Sequence, residues 1–260
     1  LRTGLREMGS VIVAYSGGLD SAFVLSVACE VLVDRALGLT AVSPSLPARE
    51  REDALRIARL IGARHELVDS NEIHDPRYAS NPADRCFHCK TELYTITERR
   101  RVELGFGHVV NGTNLDDLGD YRPGLEAAQR AGVRSPLVDV GLRKDEVREL
   151  ARDLGLPFWD KPAAACLSSR IPYGTEVTPE RLSQIERLED ALHGLGLRQV
   201  RVRYHHELAR IEVGSDELER AFGQRDAITK AGKLAGFTYV TLDLAGYRTG
   251  SLNQLLRVVS

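Results

Sequence analysis

The stretch Ser16-Gly17-Gly18-Leu19-Asp20-Ser21 limits the folds open to this chain more than any other. It follows the apolar run Val11-Ile12-Val13-Ala14-Tyr15 and precedes the helix-like run Ser21 to Ala28. Strand, glycine turn and helix in that order present successive backbone N–H groups and a helix N-terminus to an anion, typically phosphate. The stretch is not a Walker A loop, because the closing Gly-Lys-Ser/Thr is absent, and two adjacent glycines do not make a dinucleotide fingerprint. Asp20 would repel a bare phosphate, so it implies a bridging Mg²⁺ or a bond internal to the loop. The plainer alternative is a Gly-Gly turn into a helix capped by Asp20 or Ser21.

Strand and helix patterns keep alternating after this loop. Leu39 to Val42 reads as a strand and Ala48 to Ile61 as a helix, with Ala54, Ile57, Ala58 and Ile61 at helical steps. Gly62 ends that helix, and His65 to Val68 is a third strand. Residues 69–85 read as a long loop containing Pro76 and Pro82, with helix resuming near Lys90 and a strand at His108-Val109-Val110. This pattern predicts an α/β fold, a parallel sheet with helices on both faces, whose ligands bind beyond the carboxyl ends of the strands. A helix opened by Thr178-Pro179-Glu180, strands at Gln199–Tyr204 and Leu208–Val213, a helix over Arg225–Ala235 and a strand at Thr238–Leu242 make a second, smaller α+β module. The expected domains are 1–170 and 171–260.

Charge narrows the partners. With 35 Lys and Arg against 37 Asp and Glu, the formal net charge of −2 gives no global pull toward nucleic acid or a membrane surface. No apolar run approaches the ~20 residues that span a bilayer, and the opening residues carry no signal-peptide core, so a cytoplasmic protein is expected. Four cysteines are too few for a secreted disulfide scaffold, and Cys29 falls on the apolar side of a helix as a small packed side chain.

Three further segments carry chemistry. Asn111-Gly112-Thr113-Asn114 follows a strand and leads into Asp116, Asp117 and Asp120, a turn that could hold Mg²⁺-pyrophosphate beside the glycine loop or be only a polar, capped turn. Arg122 would compensate the crowded carboxylates. Asp84-Arg85-Cys86-Phe87-His88-Cys89-Lys90 contains Cys-x-x-Cys, which fits metal, a redox disulfide or inert thiols. With Cys166, the pair would give three ligands to a [4Fe–4S] cluster with one open position. Cys166 lies among small residues in Lys161-Pro162-Ala163-Ala164-Ala165-Cys166-Leu167-Ser168-Ser169-Arg170, where Lys161 or Arg170 would favour its thiolate or bind AMP; a structural cysteine is the alternative. Arg201 and Arg203 alternate with Val200 and Val202, so both point to one strand face, as an anion clamp or a solvated face.

The glycine loop after an N-terminal strand resembles the PP-loop of the ATP pyrophosphatases, which split ATP between the α and β phosphates and adenylate a carboxylate or base carbonyl. Lys-Pro-x-x-Ala-Cys-Leu-x-Ser-Arg, downstream of that loop and of Arg-Cys-x-x-Cys-Lys, narrows the resemblance to the LarE family along essentially the whole chain. Those proteins thiolate pyridinium-3,5-biscarboxylic acid mononucleotide during synthesis of the nickel-pincer nucleotide of lactate racemase.

The resemblance implies Ser16, Gly17, Gly18, Asp20, Ser21, Thr113 and Arg170 around ATP·Mg²⁺, with Asp20 as metal ligand. It implies Cys166 as the sulfur donor, with Asp20 and Lys90 also in the catalytic set. Arg201 and Arg203 would take the substrate phosphate in the second domain, with Ser169 and Asp117 also toward substrate. Glu189 and Glu212 would be metal-associated carboxylates at subunit contacts. A homo-oligomer working with other cofactor-biosynthesis proteins on a small nucleotide, without stable nucleic-acid binding, is implied as well.

Cys86 departs from the single-cysteine members, in which the cysteine matching Cys166 loses its sulfur. With Cys86, Cys89 and Cys166 all present, sulfur from Cys166 and sulfide held on a cluster are both open. A tRNA-thiolating or amide-forming enzyme and a non-catalytic nucleotide sensor are the alternatives.

Overall fold

The computed structural model describes residues 1–119, 123–162 and 165–248. Asp120 and Arg122 of the acidic turn lie outside them. The chain divides into two compact units: Leu1–Tyr78 with Asp84–Ala164, and Ala79–Ala83 with Ala165–Ser260.

The first unit begins with helix α1 (Arg2–Met8), strand β1 (Val11–Ala14) and helix α2 (Leu19–Leu32). Strand β2 (Ala36–Val42), helix α3 (Ala48–Ile61) and strand β3 (Arg64–Asp69) follow, then the short helix α4 (Pro76–Ala79), whose last residue falls in the second unit. Helix α5 (Arg85–Leu104), strand β4 (His108–Val110) and helices α6 (Pro123–Arg130), α7 (Pro136–Asp139) and α8 (Lys144–Asp153) complete it. The four strands lie in the order β3-β2-β1-β4, all parallel. This is the expected α/β sheet.

Successive residues of β1 feed opposite faces. Val11 and Val13 join Leu5, Phe23, Leu25 and Val147 on one side, while Ile12 joins Leu37, Leu39 and Phe106 on the other. Burial on both faces is why these strands read as unbroken apolar runs rather than alternating ones. Helix α3 stops where Gly62 turns left-handed at φ 72°, its N–H reaching back to the Ala58 and Arg59 carbonyls.

One expected boundary is corrected. Helix resumes at Arg85, not near Lys90, so Cys86 and Cys89 stand in the first two turns of α5 and not in a loop. Nothing in Arg-Cys-Phe-His-Cys-Lys breaks a helix, and three-residue spacing sets the two cysteines on one side of it. The stretch before it is also less irregular than a bare loop, since it holds a 3-10 turn at Glu72–His74 and α4.

The second unit carries a 3-10 turn at Leu167–Arg170 and helix α9 (Pro179–Gly194). Strands β5 (Val200–His205) and β6 (Leu208–Val213), helices α10 (Leu218–Gly223) and α11 (Arg225–Ala235) and strand β7 (Tyr239–Leu242) follow. Helix α9 starts on the Thr178 cap, whose side chain accepts from the Arg181 N–H, with Pro179 in its first turn. The sheet runs β5-β6-β7, antiparallel then parallel. Residues 79–83 belong to this unit because Asn81, fully buried, donates to the carbonyls of Ile171 (3.3 Å), Pro172 (2.8 Å) and Thr175 (2.9 Å). Gly174 N–H returns a bond to the Asn81 carbonyl at 3.0 Å.

Candidate functional site

Strand order fixes where the first unit can bind a ligand. From β1 the chain moves outward through β2 to β3, then crosses to β4 on the other side of β1. The strand order therefore reverses between β1 and β4, and the crevice beyond their carboxyl ends is the site that such sheets offer. The glycine loop leaves β1 there, and Asn111-Gly112-Thr113-Asn114 leaves β4.

Close backbone approach shapes the first loop. Gly17 sits at φ 74°, and a Cβ there would stand 2.8 Å from the Ala54 Cα, so both backbone angle and space demand glycine. Ser16 and Ser21 close the turn: their hydroxyls are 3.1 Å apart, Ser16 N–H donates to Ser21 Oγ (3.2 Å), and Ser21 Oγ donates to the Gly18 carbonyl (3.1 Å). Both serines are thus partly spent on loop shape. Gly18 is the N-cap of α2 and no side chain caps that helix, which leaves its N-terminus to an anion. The two loops also touch. A Cβ on Gly112 would stand 2.5 Å from the Ser21 amide nitrogen.

Asp20 carries the charge at this junction. Burial, with Asp117 close by, pushes its carboxyl above the ordinary range, against the pull of Lys144 and Asn114. Lys144 Nζ lies 3.4 Å from Asp20 Oδ2. Asp20 Oδ1 is buried with no hydrogen-bond partner, and so is Nδ2 of the fully buried Asn114. The Asn114 amide faces the Asp20 carboxylate closely enough to favour its charge, and a metal-bound, phosphate-bearing ligand would complete the shells of both groups. Around them the β4 loop is self-braced: Thr113 N–H donates to Asn111 Oδ1 (3.1 Å), Asn114 N–H to Asp117 Oδ2 (3.1 Å) and Asp116 N–H to Asn114 Oδ1 (3.0 Å).

In the second unit, Cys166 is half-buried and caps the turn Leu167–Arg170. Its carbonyl accepts from Ser169 Oγ (2.7 Å) and Arg170 Nη1 (2.8 Å). Arg170, almost fully buried, also binds the Ala165 carbonyl (2.6 Å) and forms a two-point ion pair with Glu189 (2.9 and 3.0 Å). Arg203 pairs with the buried Glu212 at 2.7 Å and donates to the Ser169 carbonyl at 3.0 Å. Arg201 lies over the Tyr247 ring at 5.3 Å, and burial together with the Arg170 charge lowers its affinity for its proton. The expected pair on β5 is therefore one face by geometry but two environments by chemistry.

No family model matches the chain. It is 46% identical to an uncharacterized protein of Synechocystis sp., over 98% of this chain and 96% of the relative. It is 35% identical to the pyridinium-3,5-bisthiocarboxylic acid mononucleotide synthase of Lactiplantibacillus plantarum, over 98% of this chain and 93% of that one. A tRNA-specific 2-thiouridylase of Rickettsia africae is 25% identical over 60% of this chain and 53% of its own length. The chain belongs to the PP-loop ATP pyrophosphatase superfamily.

Nucleotide binding with Mg²⁺ is consistent with that membership. The cysteines divide by environment. Cys29 is held half-buried against the core and its thiol is pushed up to about 11 by burial, so it keeps its proton. Cys86 is exposed and Cys89 half-buried on α5. Among the described residues no group of three His, Cys, Asp or Glu side chains is placed to hold a metal ion; Cys86 and Cys89 belong to the first unit and Cys166 to the second. Lys90, also on α5, packs its side-chain stem toward Gly124 of α6. Lys161 lies between Glu50 (2.9 Å) and Asp53 (3.0 Å) of α3.

Sequence reasoning missed Lys144 beside the glycine loop, and named Asn114 only as part of the turn after β4. The Lys144 signal was its place at the start of an amphipathic helix, which points its side chain back over the helix N-terminus. It also missed Glu72, a buried carboxylate held by Ser43 (2.5 Å), Ser45 (2.9 Å) and Ser70 (2.5 Å), which ties together the ends of β2 and β3.

Proposed function

We propose that this chain is an ATP-dependent sulfur transferase that adenylates a carboxylate of pyridinium-3,5-biscarboxylic acid mononucleotide and converts it to a thiocarboxylate. The supporting observation is the 35% identity to the Lactiplantibacillus synthase, which runs through nearly all of both chains. The uncapped start of α2 and the buried Asp20 carboxylate beside Lys144 and Asn114 fit the activation half.

In this reading Ser16 to Ser21 and Thr113 would surround the triphosphate, and Asp20 with Asp117 would hold Mg²⁺. A substrate carboxylate oxygen attacks the α-phosphorus; pyrophosphate leaves and acyl-AMP forms. When bound, Mg²⁺ would supply positive charge against the departing pyrophosphate. The Cys166 thiolate attacks the acyl carbon, AMP leaves, and a thioester links substrate to protein. Loss of the Cys166 α-proton then breaks its Cβ–S bond, giving a thiocarboxylate and dehydroalanine. No step is routed through a cluster. Arg201 and Arg203 on β5 would receive the substrate phosphate, and Lys90 would serve the activated carboxylate.

The test is one turnover with ATP, Mg²⁺ and the pyridinium dicarboxylate nucleotide, followed by mass spectrometry. Pyrophosphate release and loss of about one H₂S from the Cys166 peptide are expected, because the sulfur leaves as thiolate chemistry requires. Pyrophosphate release with an unchanged Cys166 peptide would overturn the sulfur source; no pyrophosphate with this substrate would overturn the substrate.

A further inference from the structure

Lys144 is fixed at its base and loose at its tip. Its backbone N–H donates to Asp116 Oδ2 at 2.8 Å, and Arg143 Nη1 holds the other oxygen of Asp116 at 2.9 Å. Leu115 N–H binds the Leu142 carbonyl at 3.0 Å, and Arg143 N–H binds Glu146 Oε2 at 2.8 Å. These bonds sew the start of α8 to the loop after β4. The ammonium, by contrast, meets Asp20 at 3.4 Å, well beyond the ~2.8 Å of a strong charge-assisted bond, on a side chain 38% exposed.

Around the tip stand Asp20, Asp117 and the buried side-chain amide of Asn114, which also favours the Asp20 charge. Asp20 and Asp117 without Lys144 would be two nearby carboxylates, a natural lure for a divalent cation. With the ammonium on Asp20, a bare cation must approach a positive charge and a ligand already claimed. A cation carried by a triphosphate meets different conditions, because the phosphate oxygens offer the ammonium and the Asn114 amide new acceptors as Asp20 turns to the metal.

We propose that Lys144 is a charge gate on the metal position: it holds Asp20 while no nucleotide is bound and gives Asp20 up only to a divalent cation that arrives with a triphosphate. The gate rests on the ATP·Mg²⁺ reading above and adds an order of binding to it. In this role Lys144 is a positioning residue that acts through Asp20.

The test measures Mn²⁺ binding by electron paramagnetic resonance, with and without the α,β-methylene analogue of ATP. Wild-type protein binds Mn²⁺ weakly alone and more tightly with the analogue. Lys144→Met tightens Mn²⁺ binding to the nucleotide-free protein by about tenfold or more, since a like charge beside the ion is gone. Lys144→Arg keeps the charge and stays weak, whereas a merely structural role would move both variants alike. Thermal denaturation of all three proteins establishes that each is folded. Nucleotide-free Mn²⁺ affinity that is unchanged or weaker in Lys144→Met overturns the gate. If the analogue fails to tighten Mn²⁺ binding in wild type, the ATP·Mg²⁺ reading falls instead, and the nucleotide-free comparison still decides what Lys144 does.

Discussion

Gly112 lies so close to Ser21 that a single added carbon would stand 2.5 Å from the Ser21 amide nitrogen, with Asp20 backbone at 2.8 Å. Two loops leaving different strands are packed backbone on backbone at that point. Gly112→Ala must push them apart, so we expect a loss of about 1–3 kcal/mol, as for other overpacked sites. Affinity for an ATP analogue should fall with it. Gly119→Ala is the matched control, because a Cβ there meets nothing within 4 Å. Equal melting temperatures for the two variants would contradict the close approach.

Asp20 should trade stability for function. Burial raises its folded-state carboxyl above the unfolded value, so the protonated form favours folding and the ionised form opposes it. That penalty is fully present above the folded value and vanishes below the unfolded one. Asp20→Asn removes it, and at neutral pH the variant should melt higher than wild type. The loss of the partly exposed Lys144 contact subtracts little. The difference should shrink as pH falls through the carboxylate range, while metal-dependent nucleotide binding is lost. Calorimetry from pH 7 to pH 4 checks both signs.

His65 predicts an acid sensitivity. Its Nε2 lies 2.8 Å from Thr40 Oγ1, which itself donates to the Tyr15 carbonyl (2.7 Å), and its Nδ1 is buried with no partner. Burial lowers its folded-state proton affinity, so the unfolded chain takes up the proton first as pH drops. Stability should decline from about pH 6.5 downward until the folded value is passed. In His65→Gln this component of the decline should be absent. Parallel melting curves for the two proteins between pH 7.5 and pH 5 would count against it.

Arg170 should behave as a brace for Cys166. Breaking its buried ion pair with Glu189 by Arg170→Ala should cost about 3–5 kcal/mol, because one charge is left uncompensated. Arg170→Lys keeps the charge but loses the two-point geometry and the hold on the Ala165 and Cys166 carbonyls. We expect Arg170→Lys to bind an ATP analogue like wild type while the rate of Cys166 alkylation changes. Weakened nucleotide binding in a variant with an unchanged melting temperature would instead return Arg170 to the nucleotide.

The parts of this fold legible in the sequence are those governed by neighbouring residues. Val11 to Ala14, Ala48 to Ile61 and the Thr178-Pro179 start carry their own periodicity or caps, and Gly62 its own stop. Helix α5 begins five residues before the expected start near Lys90, because Cys86 and Cys89 are compatible with a helix whatever chemistry they carry. The face shared by Arg201 and Arg203 follows from strand period alone. That Arg203 is neutralised by Glu212 and Arg170 by Glu189 depends on how β6 and α9 pack, which no local pattern encodes. Lys144 meets Asp20 across a sequence separation of 124, so only the assembled sheet brings them together.

The Asn81 clamp has a consequence for how the chain is made. Its three carbonyl acceptors lie 90, 91 and 94 residues further along. During synthesis, residues 79–83 leave the ribosome long before anything can receive that buried amide. The glycine-loop sheet can form around β1 to β4 in the meantime, but the growing chain carries an unfinished stretch in its middle. Only when Ile171 to Thr175 emerge does that stretch settle, so an early halt in translation would release a polypeptide with a core and an exposed, unmet seam.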